Sequence, residues 1–154
     1  YEFPARGDKP PVTLTWYDGL RPPRPKELPQ DEALGNSEGG SLFIGTDGML
    51  TAGVYGENPR LVPGSRMKDF TPPAPTIPRV EGTHEDDWVR AIKNKTKAGA
   101  DFSYSGPLTE VCLLGNVAKR MDTKIEWDGE KQEVTNIPDA NRFVRTSCRE
   151  GWSL

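Results

Sequence analysis

Apolar residues along this chain follow two rhythms. Between Ser105 and Met121, the residues Leu108, Val111, Cys112, Leu114, Ala118 and Met121 recur three and four apart, the period of a helix with one apolar stripe. Gly106 and Pro107 stand at its head, and proline is favoured in the first helical turn because its missing N–H would be unpaired there. A helix from Pro107 to Met121 is therefore predicted, with Lys119 and Arg120 at the negative end of its dipole and Cys112 in the core. A second helix is predicted over Thr83–Asn94. Thr83 is a good N-cap, Asp86 three residues later can complete a capping box, and Glu85, Asp86 and Asp87 suit the positive end. Trp88 and Ile92 give this helix an apolar face, which His84 shares.

The other rhythm alternates. Tyr1–Pro4 and Val12–Tyr17 read as short strands, rich in aromatic and β-branched residues. Ser41–Gly53 reads as a hairpin turning on Asp47-Gly48, a strong tight-turn signal, with Arg60–Pro63 as a third strand. Thr123–Asn136 reads as another hairpin turning at Asp128-Gly129. Gly64–Phe70 suggests a helical turn, and Pro138 opens a short helix to Thr146. Strands and helices are segregated along the chain. That predicts an α+β fold, an open, mainly antiparallel sheet with helices packed on one face.

Two proline-rich stretches, Arg21–Pro29 and Thr71–Pro78, cannot pair as central strands. The first is basic and reads as an extended connector, with an arm gripping a neighbouring subunit as the functional alternative. Both read as crossings inside one domain, so a single domain over residues 1–154 is expected. Glycine and proline together make 16 + 15 = 31 of 154 residues and hydrophobic residues 34 %. A modest core with long irregular connections follows. A net charge of −3 supplies no electrostatic footprint for nucleic acid or an anionic membrane. No apolar run approaches the ~20 residues of a membrane span.

Signatures of chemistry are sparse. The sequence has no G-x-G-x-x-G, no G-x-x-x-x-G-K-[ST], no H-E-x-x-H and no G-x-S-x-G. Two cysteines, Cys112 and Cys148, and one histidine form no metal-ligand spacing. The Arg6-Gly7-Asp8 triplet sits in a loop and is read as chance. His84 at a helix start is the leading candidate to hydrogen-bond a ligand hydroxyl. Trp16 and Tyr17 are candidates to stack on a sugar ring, with Tyr55, Arg60 and Tyr104 ranked after them.

Three stretches taken together carry a resemblance: GSLFIGTDGMLTAGVYGENPRLVP (Gly40–Pro63), HEDDWVRAIKN (His84–Asn94) and DFSYSGPLTEVCLLGNVAKRM (Asp101–Met121). They resemble the C-terminal half of Gfo/Idh/MocA-family oxidoreductases, in the branch found in Planctomycetes and Bacteroidetes. The opening Tyr1–Gly19 and the close Trp127–Leu154 look like the same branch, so the resemblance covers nearly the whole chain.

The resemblance implies a C-terminal domain of the glyceraldehyde-3-phosphate-dehydrogenase-like type. Such a domain walls one side of a sugar or polyol site and makes a homo-oligomer through its sheet face. It implies NAD(P) for the full-length protein, bound by an N-terminal Rossmann domain that this chain lacks. The family's catalytic Glu-Lys-Pro motif is missing as well, so this chain is expected to bind no cofactor and to be inactive alone. Two alternatives stand beside this reading. One is the same domain of an NAD-dependent glycosidase of that family. The other is a free-standing binding or assembly module. The resemblance leaves the compartment open, since members of the branch often carry an export signal.

Overall fold

A computed structural model describes residues 1–145 and 148–152. The chain has both helices and antiparallel strands, an α+β composition. It divides into two compact units, Tyr1–Ala74 and Pro75–Leu154. The division falls inside the second proline-rich connector, which the sequence reading takes as a crossing within one domain.

The first unit holds five strands. β1 (Glu2–Phe3) pairs antiparallel with β2 (Val12–Thr13). Both are shorter than their apolar runs, and the Tyr1–Leu14 backbone bonds at 3.0 Å and 2.8 Å extend the pairing by one step. β3 (Ser41–Gly45) and β4 (Gly48–Ala52) form the expected hairpin, with Gly45 opposite Gly48 across a two-residue turn. β5 (Arg60–Val62) completes this sheet in the order β3-β4-β5, and a 3₁₀ helix over Gly64–Asp69 follows it.

The buried residues of this unit are Leu28, Thr51, Ala52 and Val62. Thr51 is fully buried, and its hydroxyl accepts the Gly35 N–H at 2.9 Å and donates to the Ser41 carbonyl at 3.1 Å. Gly40 requires its lack of a side chain: its φ is +146°, and a Cβ there would stand 2.3 Å from the Ala52 carbonyl oxygen. The basic proline-rich segment folds back on its own unit and is no free arm. Arg24 donates to the carbonyls of Pro29 and, at 2.6 Å, Glu32, and Leu28 is buried beside it in sequence.

The second unit carries the helices. α1 (His84–Asn94) has the predicted capping box. The Thr83 hydroxyl accepts the Asp86 N–H at 3.1 Å, and the Asp86 carboxylate accepts the Thr83 N–H at 3.0 Å. α2 (Phe102–Met121) begins five residues earlier than Pro107 predicts. The reason is Asp101, whose carboxylate accepts the Ser103 N–H at 3.0 Å and caps the extra turn. Pro107 thus sits inside the helix, near enough to its start that one lost donor is tolerated.

β6 (Trp127–Asp128) and β7 (Glu133–Val134) form a ladder shorter than the predicted hairpin. A 3₁₀ helix over Pro138–Phe143 follows; the predicted helix end at Thr146 lies outside the described residues, as do Ser147, Ser153 and Leu154. The core here is Val117, Val134 and Ala140, with Met121, Ile125 and Phe143 among the side chains packed around it. Asn141 acts as a surrogate strand. Its Oδ1 accepts the Val134 N–H at 2.7 Å, and its Nδ2 donates to the Val134 carbonyl at 2.9 Å.

Two expectations are corrected. Among the described residues, the strands form three separate antiparallel ladders and not one open sheet. The three-stranded sheet lies in the first unit, whereas both α-helices lie in the second. Pro4 and Pro11 beside β1 and β2, and Pro59 and Pro63 around β5, have no N–H to donate and keep these strands short. Secondly, the apolar stripe of α2 is core only toward its C-terminal end. Of its residues Leu108 and Cys112 are exposed, Val111, Leu114 and Ala118 are half-buried and Met121 packs on the core, while the buried residue of the helix, Val117, lies off the predicted stripe.

Replacing Thr51 by Val or Asn141 by Ala leaves backbone groups in poorly hydrated places unpaired, at a cost of about 1–3 kcal/mol each. Urea midpoints measure this, and a loss within error for both variants contradicts it. Acid should loosen the helix starts as well. The Thr83 N–H and hydroxyl hold the Asp86 carboxyl below its ordinary range, and the Ser103 hydroxyl and N–H do the same for Asp101. A depressed carboxyl stabilises the fold above its unfolded pKa of about 4, and that contribution is lost as pH falls through the folded value. Helical circular dichroism should therefore fall as pH drops below about 4. The Asp86→Asn/Asp101→Asn double variant should begin lower and lose less.

Candidate functional site

The six residues singled out from the sequence do not gather into a site. Trp16, Tyr17, Tyr55 and Arg60 belong to the first unit, His84 and Tyr104 to the second. Among the described residues no hydrogen bond or ring contact joins any two of them. Trp16 and Tyr17 lie past the end of β2 and are exposed, where the alternating pattern had put them on a strand. Tyr55 is 88 % exposed at the tip of a turn closed by Glu57. The Arg60 guanidinium has a structural partner, donating to the Ala33 carbonyl at 2.7 Å. His84 opens α1 and Tyr104 lies in the first turn of α2, both exposed.

The concave surface is elsewhere. An open groove of about 1020 Å³ runs along α2 from Phe102 to Arg120 and is walled by Trp127, Gln132 and the residues 142–145. Its floor arises from helical spacing. Phe102, Gly106, Thr109, Leu113, Val117 and Arg120 are three or four apart and share one face of α2. The opposite wall arises from the 3₁₀ helix that Asn141 ties to β7.

Two chemical features stand out in it. Glu110 is held by its neighbours, accepting the Trp127 indole N–H at 2.6 Å and the Gln132 amide at 3.1 Å. This fixes Trp127 against the groove and uses part of the carboxylate's capacity. At the other end the Phe143 ring receives two guanidinium groups, Arg142 at 4.7 Å and Arg120 at 5.3 Å from its centroid. Arg145 lines the same end. Arg142 also pairs with Asp139 at 3.4 Å across exposed side chains, a weak tie. Arg120 and Arg145 make no ion pair among the described residues.

One end of the groove is therefore cationic and the middle apolar. Guanidinium groups so placed suit carboxylates or phosphates, which they can bind in a fork. Among the described residues the groove's hydroxyls, Ser105 and Thr109, donate to backbone carbonyls of α2 and its cap and not to a base. Among the described residues no cluster of three His, Cys, Asp or Glu side chains could hold a metal. No helix described is long and apolar enough to cross a membrane.

The sequence reading missed this groove. It treats Arg120 as a complement to the helix dipole and passes over the run Asn141-Arg142-Phe143-Val144-Arg145. An aromatic residue, Phe143, set between Arg142 and Arg145 is the signal that marks it. Comparison of the chain with protein-family models, with curated proteins and with solved structures finds no match.

Removing the carboxylate with Glu110→Ala should free the Trp127 indole. The expected results are a shift in tryptophan emission and a stability loss of about 1 kcal/mol, reduced from the usual value of a charged hydrogen bond by partial exposure. Unchanged emission and stability would show that the Glu110–Trp127 bond does not hold this wall.

Proposed function

We propose that this chain is the substrate-binding and assembly portion of an NAD(P)-dependent oxidoreductase acting on a sugar or polyol, of the Gfo/Idh/MocA type its sequence resembles. One physical observation supports the assembly half of this reading. The chain exposes 13560 Å² of accessible surface at a mass of 17.1 kDa. Two separate compact bodies of about half that mass would together expose only about 9,300 Å². The proline-rich connectors account for part of the difference. Regular faces also turn large apolar side chains outward: Phe43 and Ile44 on β3, Trp88, Val89 and Ile92 on α1, and Phe102, Leu108 and Leu113 on α2. Obligate interfaces cover on the order of 1,000–2,500 Å² on each side, enough to hide such faces.

In this reading the sheet face meets a neighbouring subunit. The cofactor is held by the Rossmann half of the parent, where a glycine turn and a helix N-terminus receive its pyrophosphate. Hydride chemistry resides in the nicotinamide, and this chain's part is to orient the substrate.

Two measurements test the proposal. The parent protein, given NAD(P) and a panel of free sugars and polyols, should generate the reduced nicotinamide absorbance. Release of the aryl group from aryl glycosides with no net reduced cofactor would replace the dehydrogenase reading with the glycosidase one. The 154-residue chain alone should give no calorimetric signal with NAD or NADP. Tight binding by this chain would contradict the division of labour between the two halves.

A further inference from the structure

The second unit carries two unpartnered surfaces that complement each other. The first is the outer face of α1. Loop residues hold the inner face: the Asp87 carboxylate accepts the Gly99 N–H at 2.8 Å, the Arg90 guanidinium donates to the Glu81 carbonyl at 2.7 Å, and Ala91 is buried. Glu85, Trp88, Val89 and Ile92 lie on the other side at spacings of three and four. Trp88 is 64 % and Ile92 63 % exposed. Among the described residues α1 packs against no other helix or strand. An amphipathic helix with its apolar face turned to water is an interface waiting to be covered.

The second surface is the groove along α2. Its middle is apolar, with Leu113 58 % exposed above Val117 and Phe143. Its end is cationic, with Arg120, Arg142 and Arg145. α1 has the matching order, with carboxylates in its first turn and apolar residues after them. An antiparallel helix seated in the groove would lay Trp88 and Ile92 over the apolar floor and set Glu85 among the guanidinium groups. This is the helix-in-groove mode of recognition, with charge fixing the direction.

We infer that α1 of one copy of this chain docks in the α2 groove of a second copy, each copy giving one helix and receiving one. A two-fold axis satisfies both exchanges at once, so that each dimer holds two such seats. The inference rests on reading the chain as an assembly part and adds a helix-and-groove contact to the sheet face named there.

The test is sedimentation equilibrium of the 154-residue chain from micromolar to submillimolar concentration. A concentration-dependent dimer is expected. Trp88→Asp and Leu113→Asp should each weaken it by roughly tenfold or more, as loss of a central anchor does. Both side chains are exposed within the unit, so circular dichroism should stay as in the parent chain. Mixing the two variants should restore part of the association, because the Leu113→Asp copy still gives an intact helix and the Trp88→Asp copy an intact groove. Glu85→Arg and Arg120→Glu should each weaken the dimer, and combined in one chain should recover it.

A dimer indifferent to all four substitutions overturns the inference but leaves the assembly reading standing. A chain monomeric at every concentration overturns both. A monomer whose Trp88 emission, read with the other three tryptophans replaced by phenylalanine, responds to Leu113→Asp shows that the helix fills the groove of its own chain, which also overturns the inference.

Discussion

Scarcity of apolar material governs this molecule. Gly and Pro occupy 31 of 154 positions, and the buried hydrophobic residues described are few and mostly small: Ala52, Ala91, Ala140, Val62, Val117, Val134 and Leu28. Burial alone offers little to hold such units against chain entropy. Polar side chains that bond to backbone take over. Thr51 joins the loop at Gly35 to Ser41. Asn141 mimics a neighbouring strand for Val134, and Asn136 bonds the backbone of Glu126 and Lys124 in the same way. Arg24, Arg60 and Glu32 tie loop to loop, Glu32 by accepting the Gly64 N–H at 2.9 Å. Each such bond contributes modestly, but losing one partner strands a backbone group.

The same scarcity makes the exposed faces informative. A chain with so few apolar residues keeps Trp88, Ile92, Leu113 and Phe102 on regular elements facing outward. Polar substitutes at those positions would have cost the isolated unit nothing in packing. Their presence accords with a surface that another protein surface completes, as does the accessible area. The groove along α2 then has two distinct ends. One, around Trp127, Glu110 and Gln132, is set by hydrogen bonds. The other, around Phe143, is set by cation–π stacking and is open to anionic groups.

Legibility in the sequence followed the range of the interaction responsible. The capping box of α1 and the β3–β4 hairpin are local: the first stands where Thr83-x-x-Asp86 puts it, and the second turns within Thr46-Asp47-Gly48, with Thr46-Asp47 as the turn and Gly48 already paired to Gly45. Pro107 predicts the start of α2 too late, because the capping carboxylate of Asp101 adds a turn ahead of it. The alternating run Val12–Tyr17 pairs only over Val12–Thr13, since nothing in a periodicity says how far a partner strand extends. Cys112 looks like core from its spacing, yet it is exposed, because a stripe records which face is apolar and not what lies against it. The groove needed three separate segments, around residues 110, 127 and 143, to meet. The candidates chosen by residue type, His84, Tyr55, Arg60, Trp16, Tyr17 and Tyr104, share chemistry but no common location.

The central claim is that the outer face of α1 and the groove of α2 are covered when the protein assembles. Amide hydrogen exchange read at several protein concentrations probes both surfaces in one experiment. Protection along residues 84–94 and 102–120 should rise with concentration, while the Thr51 ladder in the first unit stays as it was. Exchange along both helices that is the same at every concentration would contradict the account.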